Sequence, residues 1–223
     1  WDNVTEIGEL GLFGLTIPEE YGGSGGTTRQ LAIAAEEIAK GCAATSVIYI
    51  AHLSLCTQFI NMFGSEEQKR NYLPDLASGK KVGAFALSEP GAGSDAAAIK
   101  TSAVRSNGHY VVNGIKTWIS NAPEASIFVT LATSDTSKNH KGIEALIVES
   151  NTEGIVTNQL HGKMGVRAST VGEIIFDNVL VPVKNRMGED EQGFRQTMEV
   201  LNASRISIGA QCVGIAQAAL EAA

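Results

Sequence analysis

The sequence predicts an α+β protein with several domains: an all-α N-terminal domain, a middle antiparallel β-barrel or β-sandwich domain, and the start of a C-terminal helical domain. Three observations lead to this fold class. Apolar residues follow a helical period over residues 1–81, short strand-like runs fill residues 82–187, and the helical period returns over residues 188–223. Because the strand-like runs succeed one another without intervening helices, we predict that they pair in antiparallel fashion.

The N-terminal domain contains two helix starts with recognisable caps. Thr27 or Thr28 can cap a helix that carries apolar residues on one face and ends at Gly41. Residues 65–68, Ser-Glu-Glu-Gln, have the pattern of a capping box and predict a second, shorter helix. Between these two helices, residues 43–63 are apolar on nearly every face, which predicts a buried helix.

The middle domain is predicted from short runs of β-favouring residues. These runs are residues 82–88, 109–112, 115–119, 127–132, 143–149 and 173–176. Asn-Gly pairs at residues 107–108 and 113–114 and a Lys-Gly pair at residues 141–142 separate some of the runs. Asn-Gly is a strong hairpin signal, so we predict a tight turn at each of the two Asn-Gly pairs.

Composition excludes several classes of protein. The chain has 223 residues, of which 43% are hydrophobic and 18% charged, and its net charge is −7. Proteins that bind nucleic acid need a basic surface, so that class is not expected. No apolar run is expected to reach the length of a membrane span. Cys42, Cys56 and Cys212 are expected to be buried free thiols in a reducing compartment, and the four histidines are too scattered for a metal site.

The two ends of the chain carry an expectation of their own. The sequence starts at Trp1 without a readable targeting signal and stops inside an Ala-rich helical pattern that has no capping residue. We therefore expect the chain to be a piece of a longer protein.

Two segments contain the candidate binding groups. Residues 85–95, FALSEPGAGSD, form a strand that breaks into a glycine loop, where bare backbone N–H groups lie beside a hydroxyl. Residues 116–121, KTWISN, alternate in such a way that Trp118 and Ser120 are predicted on the same side of a strand. A flat aromatic group, small hydroxyls and free N–H groups suit a planar cofactor that carries phosphate. Taken alone, however, a tryptophan in a half-buried strand is more often part of the core.

The glycine loop also matches a dinucleotide-binding fingerprint. Residues 91–96 read G-x-G-x-x-A, as in a Rossmann turn. That turn should open a helix within a βαβ unit and be followed, about 20 residues on, by an acidic residue. Here the next elements are strand-like hairpins, and the residue 20 positions beyond Gly93 is Asn113. The context therefore disfavours a Rossmann fold.

Five motifs give the chain a family resemblance. They are residues 85–95 (FALSEPGAGSD), 118–120 (WIS), 163–170 (KMGVRAST), 176–182 (FDNVLVP) and 205–211 (RISIGAQ). In this order and spacing, the chain resembles the acyl-CoA dehydrogenases and is most similar to the short-chain (butyryl) and short/branched-chain members. The resemblance covers the N-terminal and middle domains and the first helix of the C-terminal bundle.

The resemblance implies an FAD cofactor and assigns site residues. The residues that would bind FAD are Phe85, Leu87, Ser88, Gly93, Ser94, Trp118, Ile119 and Ser120. The residues that would bind the acyl-CoA are Ser94, Asn202, Ser204 and Arg205. Trp118 would lie against the flavin ring, Ser120 beside the flavin N5 atom, and Ser94 between FAD and the thioester. No metal is implied.

The same resemblance implies a flavoprotein oxidoreductase of fatty acid β-oxidation. Such an enzyme converts a short-chain acyl-CoA to the trans-2-enoyl-CoA and passes electrons to an electron-transfer flavoprotein. Family members have their catalytic Glu either directly before the arginine that matches Arg205 or far along the C-terminal bundle, and here Ser204 occupies the first position. The resemblance therefore implies a base outside residues 1–223, and we expect this piece alone to be inactive.

Several alternatives stay open at this stage. An acyl-CoA oxidase would pass the electrons to oxygen, and a non-catalytic acyl-CoA-binding scaffold would need no base. The resemblance further implies a homotetramer in the bacterial cytoplasm or the mitochondrial matrix.

Overall fold

The N-terminal part of the chain is helical, as predicted. In the computed structural model, which describes residues 1–223, the helices are α1 (Asp2–Glu9), α2 (Thr28–Gly41), α3 (Ala43–Ile50), α4 (Gln58–Phe63) and α5 (Glu66–Ala77). Both capping boxes are confirmed: Thr27 and Ser65 each accept a hydrogen bond from the backbone N–H three residues on, and the Gln at that position bonds back to the cap.

One long buried helix runs through the N-terminal part. Helices α3 and α4 are joined by a π-helical segment, Ala51–Thr57, into a single helix of 21 residues, whose most apolar 18-residue window has a mean hydropathy of 1.4. By length and composition this helix could cross a membrane, so the expectation that no apolar run is long enough is wrong. Of its most apolar 18-residue window, 78% is buried inside the structure, and the core helix of a soluble protein passes the same test.

The middle part is one seven-stranded sheet. Its strands are β1 (Gly83–Ala86), β2 (Ser102–Ser106), β3 (His109–Ser120), β4 (Ile127–Thr133), β5 (Ile143–Glu149), β6 (Ile155–Gln159) and β7 (Val171–Pro182). The order is β1-β4-β2-β3-β7-β6, and β5 also pairs with β4. Pairing is antiparallel except between β1 and β4 and at one bridge between β2 and β4. The predicted fold class is confirmed, with this parallel pair as an addition.

The two Asn-Gly pairs have different structures. Asn107 and Gly108 both have positive φ and form the tight turn between β2 and β3, as predicted. The predicted turn at the second pair is wrong, because Asn113 and Gly114 lie inside β3 at a shift in its register with β7. The Asn113 side chain accepts a hydrogen bond from the Asn178 N–H at 2.8 Å, which stabilises this bulge across the two strands. The Lys-Gly pair ends the 3-10 turn that connects β4 to β5.

A shared apolar core joins the helices to the sheet. One cluster of 30 buried residues includes Phe59 of α4, Phe85 of β1 and Val129 of β4, and a second cluster of 16 residues consists mainly of strand residues. The helices and the sheet bury their apolar surface against each other, so this packing does not mark where one domain ends and the next begins. The domain boundaries after residues 81 and 187 therefore stay predictions.

The last helix, α6 (Gly193–Ala222), packs on α2 through a face of small and polar residues. Gly214 allows the close approach, because a Cβ there would lie 2.1 Å from the Glu36 carbonyl oxygen. The apolar residues Ile206, Ile208 and Val213 are exposed on the other faces. Cys212 is also exposed, so the expectation of a buried thiol is wrong there. Cys42 is half-buried, Cys56 is buried, and all three thiols are free.

Candidate functional site

Six of the eight predicted cofactor residues line one cavity of about 200 Å³. These are Phe85, Leu87, Ser88, Trp118, Ile119 and Ser120. The first three come from β1 and the residues directly after it, and the last three form the end of β3. The Thr117 N–H donates to the Ser88 carbonyl at 2.9 Å, which holds the two segments side by side. Two sequence-distant motifs thus form one wall.

Trp118 lies on the exposed side of this wall. Its backbone has a φ of 60°, and the register of β3 with β7 shifts between Lys116 and Ile119. The regular alternation assumed from the sequence is therefore wrong, although Trp118 and Ser120 do border the same cavity. The Trp118 side chain is 66% exposed, so it is not part of the core. A positive φ in a bulky residue is uncommon and is found most often at functional sites.

The cavity offers hydroxyl groups with no partner inside the protein. Neither the Ser88 nor the Ser120 side chain forms a hydrogen bond with another group of the chain, and both residues are only half-buried. The remaining lining side chains are mainly apolar. A flat aromatic surface beside a few unpaired polar groups is typical of cofactor sites. These residues therefore fit a flavin ring, which has polar edges and apolar faces.

Gly93 and Ser94 lie outside the cavity lining. Both are exposed in the loop that follows a tight turn closed by the Glu89–Ala92 pair. This loop continues into a single 3-10 turn, Ala96–Ala98, and then into β2, which pairs antiparallel with β3. A Rossmann turn would instead open a helix that leads to a parallel strand. The structure therefore agrees with the prediction from the sequence context.

A buried ion pair fixes the glycine loop to β3. The Lys116 Nζ atom donates to Glu89 Oε1 at 2.8 Å and to the Leu87 carbonyl at 3.0 Å. Glu89 also accepts backbone N–H groups from Lys100 at 2.7 Å and from Thr101 at 2.9 Å. The Lys116 side chain is completely buried. Sequence reasoning missed this pair, although both residues lie within the quoted motifs, because single charged residues usually indicate a solvated surface.

The electrostatics of this pair exclude Glu89 as a general base. Burial alone would raise the pKa of Glu89, but the Lys116 charge and the hydrogen bonds lower it overall. Burial lowers the pKa of Lys116 to about 8, against the effect of the Glu89 charge. A base that removes a weakly acidic proton near neutral pH needs a raised pKa. Glu89 therefore anchors the loop.

None of the three predicted acyl-CoA residues on α6 lines the cavity. Asn202 and Arg205 are exposed. Ser204 is buried, and its hydroxyl donates to the Leu201 carbonyl at 3.0 Å, so it is used within the helix. Leu201, one turn earlier, does line the cavity. The structure thus places this segment beside the cavity without bringing the three predicted side chains into its lining.

Sequence reasoning also missed three lining residues. Ala51 and Leu55 come from the π-helical segment of the long buried helix, and Leu201 comes from α6. π-Helical turns are rare and are often found at functional sites, but a run of apolar residues does not distinguish them from an α-helix. The apolar run itself was the only available signal.

Comparison with known families and proteins gives consistent matches. The N-terminal domain of acyl-CoA dehydrogenase matches residues 1–80, and the middle domain of acyl-CoA dehydrogenase matches residues 84–179. The short-chain specific acyl-CoA dehydrogenase of Clostridium acetobutylicum is 44% identical over 222 residues, which cover 100% of the chain and 59% of the relative. The mitochondrial short-chain specific acyl-CoA dehydrogenase of Rattus norvegicus is 43% identical over 220 residues, covering 99% of the chain and 53% of the relative.

Solved structures have the same fold. The butyryl-CoA dehydrogenase of Megasphaera elsdenii superposes with a TM-score of 0.95 at 39% identity, covering 98% of the chain and 58% of that structure. A structure of the electron transferring flavoprotein of Acidaminococcus fermentans superposes with a TM-score of 0.96 at 41% identity, covering 98% of the chain and 57% of that structure. An acyl-CoA dehydrogenase from Bacillus anthracis complexed with FAD superposes with a TM-score of 0.89 at 39% identity, covering 95% of the chain and 36% of that structure.

These matches define the class of the chain. It belongs to the acyl-CoA dehydrogenase family and contains the family's N-terminal and middle domains, followed by one long helix. The chain spans less than two thirds of the length of the relatives that it matches.

Proposed function

We propose that the full-length protein is an FAD-dependent dehydrogenase that converts a short-chain acyl-CoA to the trans-2-enoyl-CoA. The observation that supports this most is the cavity between the end of β1 and the end of β3, where Trp118 is exposed and two serine hydroxyls are unpaired. FAD would supply the acceptor for the hydride that leaves the β carbon of the thioester. The names of the short-chain and butyryl relatives support the substrate class.

Each candidate residue has a proposed task. Trp118 would cover one face of the flavin ring, and Ser120 would donate a hydrogen bond near its N5 atom. Phe85, Leu87, Ser88 and Ile119 would form the wall of the ring site, with the Leu87 main chain held in place by Lys116. The exposed Gly93 and Ser94 would approach the cofactor and the thioester from the loop.

The acyl-CoA would be held by Ser94 and by the first half of α6. Asn202 and Arg205 are exposed there, and Arg205 would be the fixed cation for the negatively charged CoA. Ser204 would hold this part of the helix in position, because its hydroxyl donates to the Leu201 carbonyl and its own carbonyl accepts the Ser207 hydroxyl. We propose that no side chain of residues 1–223 acts as the catalytic base. Ser204 has no carboxylate, and Glu89 is held ionised by Lys116.

The partners and the assembly are proposals as well. The similarity to a chain in a structure of an electron transferring flavoprotein supports such a flavoprotein as the electron acceptor. We place the protein in the bacterial cytoplasm or the mitochondrial matrix, in line with its bacterial and mitochondrial relatives, and as a homotetramer.

The decisive experiment uses the full-length protein loaded with FAD. Butyryl-CoA is added with an electron-transfer flavoprotein under nitrogen, and again in air without the flavoprotein. We expect enoyl-CoA and reduced flavoprotein under nitrogen, with little peroxide in air. Rapid peroxide formation would identify an oxidase instead, and bound FAD without any product would identify a non-catalytic scaffold. Turnover by residues 1–223 alone would contradict the absence of a base.

A further inference from the structure

A second cavity, of about 130 Å³, lies in the loop between β6 and β7. It is lined by cationic and polar side chains, with one apolar residue, Leu160. His161, Lys163 and Arg167 line it, and no acidic side chain does. In a chain with a net charge of −7, a lysine and an arginine at one cavity without an acidic side chain need an explanation. The cavity shares no lining residue with the proposed flavin site.

The cations of this loop have no anionic partner. The Lys163 Nζ atom donates only to the carbonyl oxygens of Val166, at 2.8 Å, and Ser169. The exposed Arg167 side chain forms neither a hydrogen bond nor an ion pair within the chain. The loop bonds to a carboxylate only at the Thr170 hydroxyl, which contacts Glu124. Burial lowers the pKa of Lys163, as it does for a cation that no negative charge compensates.

A buried hydroxyl at the cavity is also unpaired. Ser169 is 0% exposed, yet its Oγ atom has no hydrogen-bond partner although the residue lines the cavity. An unsatisfied buried polar group costs about 1–3 kcal/mol, so native proteins rarely keep one without a reason. The cavity therefore combines two uncompensated cations with an unpaired donor.

The loop backbone is held in a costly conformation beside these groups. Val166 has a φ of 51°, which is a genuine outlier for a β-branched residue. Its carbonyl accepts the Ser169 N–H and the Lys163 ammonium, so this conformation fixes the positions of both residues. Strain of this kind persists where it positions functional groups.

We propose that this cavity binds a phosphate group, held by the Lys163 ammonium, the Arg167 guanidinium and the Ser169 hydroxyl. A tetrahedral phosphate has enough oxygen atoms to accept from these three donors, which all belong to residues that line the cavity. Arg167 can bind two of these oxygens at once. The group comes either from free phosphate or from a nucleotide, and the recognition chemistry is the same in both cases.

The test is calorimetric titration of the full-length protein with inorganic phosphate at constant ionic strength. We expect saturable binding of one phosphate per chain and at least tenfold weaker binding by Arg167→Gln. Arg105→Gln is the matched control, since Arg105 is an exposed arginine of β2 without an ion pair, and it should bind as the parent does. Absence of saturable binding, or equal binding by Arg167→Gln, would overturn the proposal, as would equal affinity for acetate.

A second variant separates binding from folding. Ser169→Ala removes the unpaired hydroxyl, so its Tm without phosphate should equal or exceed that of the parent, while its Tm increase on adding phosphate should be smaller. A purely structural Ser169 would lower the Tm and leave the phosphate effect intact, which would contradict the proposal. Competition with ADP identifies the source. Displacement of phosphate by lower concentrations of ADP indicates a nucleotide, and displacement only at equal or higher concentrations indicates free phosphate.

Discussion

The buried ion pair between Lys116 and Glu89 makes a quantitative prediction about stability. The Lys116→Met substitution keeps most of the apolar stem but leaves the Glu89 carboxylate without its cation. That carboxylate is only 7% exposed and would keep two backbone N–H bonds, from Lys100 and Thr101. Removal of one partner from a buried pair costs about 3–5 kcal/mol, because the other charge stays buried and uncompensated. This is a large fraction of the roughly 5–15 kcal/mol that stabilises a typical domain.

The double variant Glu89→Gln/Lys116→Met should be less damaging than Lys116→Met alone. It buries no charge, and the glutamine amide oxygen can still accept one of the two backbone N–H groups. Both variants lose the Lys116 bond to the Leu87 carbonyl. Beyond that shared loss, the cost of the double variant is one unpaired N–H group, about 1–3 kcal/mol. The second substitution should therefore recover part of the stability that the first one loses, although each change removes a hydrogen-bonding group.

Urea denaturation of the full-length protein, followed by circular dichroism, measures these differences. Lys138→Met is the matched control, because Lys138 and Glu191 form an ion pair of nearly the same length, 2.9 Å, with both side chains about half exposed. Exposed ion pairs contribute little to stability, so this control should unfold at the same urea concentration as the parent. Two results would contradict this prediction: Lys116→Met unfolding at the same urea concentration as Lys138→Met, or the double variant being less stable than Lys116→Met.

Three further predictions concern pH, packing and the cofactor. Burial lowers the pKa of His52 from 6.5 to about 4, so folding favours the neutral form. The free energy of unfolding should therefore fall by about 3 kcal/mol as the pH drops from 6.5 to 4. This pH dependence should weaken in His52→Gln but not in His109→Gln. Gly83→Ala should destabilise the fold by about 1–3 kcal/mol in thermal unfolding, since the new Cβ would lie 2.4 Å from Cys56 Sγ, and Cys56→Ala should restore part of the loss. Trp118→Ala should weaken FAD binding about tenfold in a fluorescence titration without lowering the Tm. The control Trp1→Ala should change neither the affinity nor the Tm. Equal FAD affinity in both variants would show that Trp118 is not part of the site.

The elements that the sequence predicted well are those that depend on local chemistry. The capping boxes at Thr27 and Ser65 need only residues three positions apart, and the hairpin at residues 107–108 needs only an Asn-Gly pair. The Asn113–Gly114 pair has the same local pattern, but a cross-strand bond to Asn178 keeps it inside a strand. Local pattern cannot show such a partner 65 residues away.

Long-range pairing explains the other differences in the fold. The parallel pairing of β1 with β4 joins segments about 40 residues apart, and no turn signal marks it. The strands β2 and β6 were not predicted because they are short and largely exposed, so they lack the apolar alternation of a half-buried strand. Both become strands because neighbouring edges of the sheet supply their hydrogen bonds.

The candidate site stays a prediction from its motifs, and the structure brings six of its eight cofactor residues to one cavity. Recognised motifs placed Trp118 and Ser120 at the cofactor, and the structure puts both beside one cavity. The motifs did not reveal what holds that cavity together, since Lys116 and Glu89 resemble surface charges in the sequence. Nor did they reveal Leu55, which reaches the cavity from a π-helical turn.

An anaerobic absorbance titration of the full-length, FAD-loaded protein with butyryl-CoA tests the proposed dehydrogenation. We predict that the flavin band is lost as butyryl-CoA is added and that enoyl-CoA forms in the same amount. Ser120→Ala should slow this loss, because the hydroxyl beside the flavin would be absent, whereas Ser106→Ala, in the exposed end of β2, should not. A flavin band that persists with every short or branched acyl-CoA would contradict the proposed dehydrogenation, and a protein that binds no FAD would contradict the cofactor site itself.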